Sequence, residues 1–405
     1  MTTFVRRGAI IVSLFLVAVL TSGANLTEGI FYSPITREFG FSRTWGASFA
    51  STAHLINGIM LFFSGLLLKR IPTQYLQSVG FVILGSGYLL ASLAHNYQTL
   101  LAGYSLVGLG LGTVALQVTS PVVINNWFDE NKNLALASVY IGSSLGGATI
   151  VAVIGRIIVQ EGWRTGYRLM SIPMFAMPLI LLLFVRTAPP SAPEANQTDV
   201  PAEGMTIRQG LATPALWLLV AAFTFYMWVS AAIFFHFVPS LIEHGVEPAT
   251  AAVRMSMLLL VAIPGKLLFG WLGDRIGVRR SLVSVLTVAA IALLLYAFEY
   301  NPATLTIFMV CFGLAYSAPI VLVPMALAAL VGKRNLSVFA GIMMVISMIG
   351  WGAGPVLAGW LRDHLDSYGE VYLFLAAGLL ASAILSAFAL RTRCSVRQVG
   401  LNHAT

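Results

Sequence analysis

The spacing of its apolar runs most constrains what this chain can fold into. Twelve such runs, at about 8–34, 44–68, 74–94, 98–125, 133–159, 165–186, 214–241, 250–274, 280–299, 303–331, 336–361 and 370–391, alternate with short polar loops. Each is close to the roughly 20 residues that a helix needs to cross the hydrocarbon layer. In that layer every backbone polar group must be satisfied within the segment, so the runs are expected to be helices. Only 9% of the residues are charged, against roughly 25% in a soluble domain. A soluble globule is excluded, and the sequence reads as an all-α membrane protein of twelve transmembrane helices.

The basic residues give the expected orientation. With the N-terminus on the cytoplasmic side, fifteen Lys and Arg fall in inner segments and five in outer loops, with Arg156, Arg168 and Lys266 left inside spans. Short inner loops are enriched in Lys and Arg, so both termini are expected in the cytoplasm and the membrane is expected to be a cell (inner) membrane. The net charge of +8 is therefore topological, and nucleic acid is not an expected partner. The run after Arg6 and Arg7 continues to Pro34, too long for a signal-peptide core, and reads as the first span. Cys311 and Cys394 suggest neither a disulfide framework nor a metal site.

Two short matches suggest an internal duplication. Gly65-Leu66-Leu67-Leu68-Lys69-Arg70-Ile71-Pro72 repeats in Gly270-Trp271-Leu272-Gly273-Asp274-Arg275-Ile276-Gly277 at an offset of 205, and Lys132-Asn133-Leu134 repeats in Arg334-Asn335-Leu336 at 202. Between spans six and seven lies a segment rich in Pro, Ala and polar residues, with the composition of a linker. The expected organisation is a six-helix bundle over 1–186, a cytoplasmic linker over 187–213 and a second six-helix bundle over 214–405. Glycines recur at small-xxx-small spacing, as at Gly142 and Gly146. They suit close helix packing and seams along which helices slide.

Twelve spans, a central linker and the duplicated Gly-x-x-x-Asp-Arg-x-Gly loop resemble the major facilitator superfamily. The second copy keeps Gly270, Asp274, Arg275 and Gly277, while the first has Lys69 for Asp and Pro72 for Gly. Within that superfamily three stretches look like the monocarboxylate transporters and oxalate/formate antiporters: Glu28 to Arg43, Asn126 to Ala135, and Gly265 to Gly270. The resemblance implies that Lys266 stands where those families place an Arg that grips the substrate carboxylate. It also implies that Asp274 meets the N-terminus of span eleven near Asn335, with Arg275 beside it, as a cytoplasmic gate. Proton-coupled members often carry an Asp one turn before the Arg, where this chain has Ala262. The oxalate antiporter has a second cation in span eleven, where this chain has Ser347 and Trp351.

Counting about 1.5 Å per residue from the span ends places several polar side chains near mid-depth: Asn25, His54, Tyr140, Tyr226, Lys266, Tyr316 and Ser347. These are the candidate substrate-binding residues. An ionisable group at such depth points to function, and a lone cation suits a monoanion; a lysine reaching back to the interface is the competing reading for Lys266. His54 and Glu28 are the candidate proton carriers, His54 because imidazole titrates near neutral pH, with an interhelical hydrogen bond as its alternative. Tyr140, Tyr226, Tyr316 and Trp351 suggest an aromatic lining, against plain packing. Asp274, Arg275 and Asn335 are the gating candidates.

The expected function is secondary active transport of a small organic monocarboxylate by alternating access with proton symport, in a monomeric unit that uses no cofactor and is not an enzyme. Three rivals stand beside this reading. An efflux antiporter of the same fold usually carries a Gly-Pro signature in span five, absent from Gly142–Gly147, and a mid-membrane carboxylate. An anion-binding receptor is disfavoured because the short tail, Arg391–Thr405, leaves no room for an expected signalling domain. An anion exchanger without proton coupling stays open.

Overall fold

The computed structural model describes residues 3–68, 70–128, 132–186, 204–332 and 334–391. Lys69 of the first loop copy, Asp129 to Asn131, Lys333, the linker over 187–203 and the tail after Arg391 lie outside the described residues. The described chain forms α1 (Thr3–Leu26), α2 (Glu28–Phe39), α3 (Arg43–Leu67), α4 (Thr73–Ser92), α5 (Tyr97–Val114), α6 (Leu116–Trp127), α7 (Lys132–Glu161) and α8 (Trp163–Phe184). It continues through α9 (Ile207–Leu211), α10 (Pro214–Glu243), α11 (Pro248–Ile276), α12 (Val278–Phe298), α13 (Pro302–Val331), α14 (Leu336–His364) and α15 (Tyr368–Ala389). Among the described residues twelve spans are long and apolar enough to cross a membrane, and they follow the twelve sequence runs closely.

Two of the expected uninterrupted spans are broken. The first divides between α1 and α2 at Thr27, and its helical backbone runs on to Phe39, beyond the apolar run. The fourth divides at Ala115, a non-glycine residue in the left-handed region at φ 47°. Such a conformation costs on the order of 1–3 kcal/mol and persists only where surroundings enforce it. Here Thr119 Oγ1 donates to the carbonyl oxygens of Val114 and Ala115 and accepts from Gln77 Nε2 at 2.8 Å.

Loop chemistry sets the remaining ends. Ser42, Asn96 and Ser367 accept backbone N–H groups as N-caps of α3, α5 and α15, and Asn301 forms a capping box with Thr304 at α13. The exposed Glu247 before α11 accepts from Ala249 N, Thr250 N and Thr250 Oγ1, which holds its carboxyl below the usual range.

Two compact units result. Among the described residues, the first takes those of Met1–Gln197, Ala231–Leu260 and Gly352–His364, and the second those of Thr198–Ser230, Val261–Trp351 and Leu365–Thr405. Helices α10, α11 and α14 thus each give one end to the first unit. Inside the first unit α1 packs on α7, α3 on α5, and α4 on both α5 and α8. In the second unit α12 packs on α13 and α15. There α10 meets α14 where Gly350 approaches Thr224, and α11 meets α13 where Gly265 approaches Leu314. The same four pairings recur at the same places in the two series of helices, as a duplicated half requires.

Candidate functional site

Within the first unit, Glu28 opens α2 and His54 lies eleven residues into α3, about 16 Å from the start of that helix at 1.5 Å per residue. Both are buried, with side-chain exposures of 5% and 4%, and His54 Nε2 stands 2.8 Å from Glu28 Oε2. Glu28 Oε1 is buried and accepts no hydrogen bond among the described residues. Three buried tyrosines, Tyr88 on α4, Tyr104 on α5 and Tyr167 on α8, lie within electrostatic reach of Glu28. Their hydroxyls are engaged elsewhere. Tyr88 donates to the Ala24 carbonyl at 3.2 Å, and Tyr104 and Tyr167 share a hydrogen bond of 2.5 Å. Phe31 stacks on Tyr167 at 3.9 Å between ring centroids.

Sequence reading named Glu28 and His54 separately; the structure buries the two side by side as a pair. The pairing had a sequence signal. Glu28 and His54 lie thirteen residues on either side of Phe41 in the connecting loop, and Tyr88 and Tyr104 lie eight on either side of Asn96. Antiparallel neighbours joined by a short loop place such positions level.

Beyond the pair, the first unit is closed by the ends of α10 and α14. Gly29 lies so close to α10 that a Cβ would stand 2.6 Å from the carbonyl oxygens of Phe234 and Phe235. Tyr32 meets the rings of Phe235 and His236 edge-on, and His236 Nε2 bonds the Pro355 carbonyl oxygen at 2.8 Å. At the rim Glu243 bridges Arg43, at 3.0 Å, and Arg362. Asp363 accepts from Arg43 N, Thr44 N and Thr44 Oγ1 at 3.0, 2.8 and 2.6 Å, capping α3 from another helix. Sequence reading gave this cluster no role beyond interface charge.

In the second unit Lys266 lies half-buried in α11, two residues after Pro264 and one after Gly265. A Cβ on Gly265 would meet the Leu314 carbonyl oxygen at 2.5 Å, so α11 is held against α13 at the turn that carries the lysine. Tyr226 is buried and its hydroxyl donates to the carbonyl oxygen of Tyr316. This brings two of the expected residues together and ties α10 to α13. Ser347 is buried in α14, and its Oγ has no hydrogen-bond partner among the described residues. Tyr140 is half-buried on α7 in the first unit, and Asn25 donates to Thr21 O at 3.1 Å inside α1.

The family model for the Major Facilitator Superfamily matches residues 13–262 and 237–400. The chain belongs to that superfamily. It is a multi-pass membrane transporter of a small solute, not an enzyme. An uncharacterised MFS-type transporter of Bacillus subtilis is 27% identical over 367 residues, covering 88% of each chain. Monocarboxylate transporter 12 of Rattus norvegicus is 22% identical over 411 residues, covering 94% of this chain and 84% of its own. A riboflavin transporter of Trypanosoma cruzi is 22% identical, covering 79% of each. Among solved structures, a bacterial homologue of the human lysosomal transporter Spinster, inward-facing and occupied, superposes with a TM-score of 0.76 at 18% identity over 98% of both chains. That likeness concerns the fold.

The loop after α11 departs from the expected arrangement of Asp274, Arg275 and Asn335. Asp274 and Arg275 are exposed at the end of α11, and Arg275 lies over the Trp271 ring at 5.4 Å. Asn335 instead donates to the Met205 carbonyl oxygen at 3.0 Å, beside Met205 N bonding to Val331 O. The expected meeting of Asp274 with Asn335 is not present in this conformation: the Asn335 amide is taken by the end of the linker.

Proposed function

We propose that this transporter moves a small organic monocarboxylate together with a proton, with both termini cytoplasmic and the rim of Arg43, Glu243, Arg362 and Asp363 facing outward. Lys266 carries the reading. It is an ionisable group on an otherwise apolar stretch of α11, at the position that resembles the carboxylate-gripping Arg of the monocarboxylate carriers. A charge held at that depth is costly unless it serves a ligand or partner. A single point charge matches a monoanion better than a bidentate site would. The similarity to monocarboxylate transporter 12 supports the substrate class.

The coupling proton belongs to Glu28 and His54. A carboxylate and an imidazole 2.8 Å apart, walled by tyrosines, hold ionisable hydrogens away from bulk water. Tyr226, Tyr316, Ser347, Asn25 and Tyr140 supply hydrogen-bonding surface along the path. Asp274, Arg275 and Asn335 form the inner gate, here in its released arrangement.

The test is uptake of labelled monocarboxylates by proteoliposomes, with and without an inward proton gradient. Accumulation that requires the gradient supports the reading. Movement of neutral or cationic solutes, and of no acid, overturns it.

A further inference from the structure

We infer that Glu28 and His54 act as one proton-binding unit whose charge decides whether the plug formed by α2 and the ends of α10 and α14 can close. This deepens the proton-symport reading and names the event that couples the proton to a conformational change. It begins with the break at Thr27. Because the first span is interrupted there, Glu28 is the first residue of α2, and the next residue, Gly29, is the one against the α10 carbonyls. Proton site and plug are consecutive residues of one short helix.

The charge of the pair sets the sign. With neutral His54 donating to an ionised Glu28, the pair carries one negative charge. One added proton, on either partner, makes it neutral. In the closed arrangement both side chains are almost wholly excluded from solvent, and Oε1 of Glu28 accepts no hydrogen bond among the described residues. The groups within electrostatic reach of Glu28 from α4, α5 and α8 are Tyr88, which donates to the Ala24 carbonyl, and Tyr104 and Tyr167, which share one hydrogen bond with each other. A net negative charge sealed into such a place is far more costly than a neutral pair. Closing the plug therefore selects the protonated pair, and raising the pH opens it. Other titratable groups of the plug are His236, which faces Tyr32 and Pro355, and the rim carboxylates Glu243 and Asp363.

The experiment contains no transported substrate, so failure of the substrate reading and failure of this inference show separately. Ser240 is buried on the plug end of α10. It is replaced in a background with Cys311→Ser and Cys394→Ser, as Ser240→Cys. The rate of modification by a membrane-impermeant maleimide is measured against pH, relative to the same reagent on exposed His95→Cys. Relative labelling of the reporter is expected to rise with pH, with a slope of up to about tenfold per pH unit, the limit for one linked proton. Glu28→Gln, fixed neutral, is expected to label slowly at every pH. His54→Gln leaves Glu28 to titrate alone and is expected to keep a pH dependence displaced from that of the parent. A flat profile in the parent would overturn the inference. So would a Glu28→Gln profile that keeps the parental slope, or loss of the slope in His236→Gln rather than in Glu28→Gln.

Discussion

The two units treat a buried charge in opposite ways. In the first, an acid and an imidazole lie 2.8 Å apart, almost wholly excluded from solvent, with three buried tyrosines within electrostatic reach of the acid. In the second, a lysine stands half-buried on α11, next to Gly265, whose backbone lies close against α13. In the proposed account a paired and sealed site takes up one proton, and its charge decides whether the helix ends around it stay closed. A cation kept partly exposed is proposed to offer a fixed charge to an arriving anion. The two series of helices share pairings, yet the ionisable residues differ: we propose that the shared pairings supply the scaffold and the charges the division of labour.

The largest expected effect breaks this comparison at Lys266. Lys266→Ala is expected to lower carboxylate uptake by about a hundredfold or more, on the scale of about 3 kcal/mol for a lost charge-assisted contact, while Lys266→Arg keeps part of it. Near-parental uptake by Lys266→Ala in proteoliposomes would remove the clamp. Next in size is Glu28→Gln. It is expected to abolish accumulation driven by a proton gradient but to leave exchange of internal for external carboxylate, so the two assays on one preparation sharpen the contrast between the units.

Two glycines test the packing beneath each charge. Gly29→Val places a methyl branch against the α10 carbonyls and is expected to hold the plug open, seen as maleimide access to the Ser240→Cys reporter at low pH. Gly265→Val forces α11 from α13 and is expected to cost about 1–3 kcal/mol, as overpacked cores do, read from the midpoint of thermal unfolding in detergent. Equal effects of both on the reporter would blur the distinction drawn here. The smallest effect is expected at the rim. Glu243→Gln removes pairs that are partly exposed, each worth about 0–1 kcal/mol and screened by salt. A modest rise in reporter access at low ionic strength, vanishing in high salt, is the expected outcome.

Much of the fold was legible because the bilayer simplifies the code. The ends of the twelve spans follow from where apolar runs meet Arg43, Thr73, Pro214 or Pro302. The two breaks were not legible. Neither Thr27 nor Ala115 is a glycine or proline, and what holds Ala115 in place is a hydrogen bond from Gln77 to Thr119, made through tertiary contact. Lys266, Glu28 and His54 could be named from depth and residue type alone. That the last two touch depends on rotation about each helix, which a single sequence does not carry, although their equal distance from Phe41 held the clue to their common level. The rim escaped notice because Arg43, Glu243, Arg362 and Asp363 each look like ordinary interface charge until the helix ends are placed together.

The division of labour is tested most directly by luminal pH in proteoliposomes given an inward gradient of a strong monocarboxylic acid's salt, with protein-free vesicles as the baseline. Wild-type protein is expected to acidify the lumen as the carboxylate enters. Glu28→Gln is expected to admit carboxylate under exchange conditions without moving protons, and Lys266→Ala to move neither. Acidification by Glu28→Gln at the wild-type rate would contradict the account.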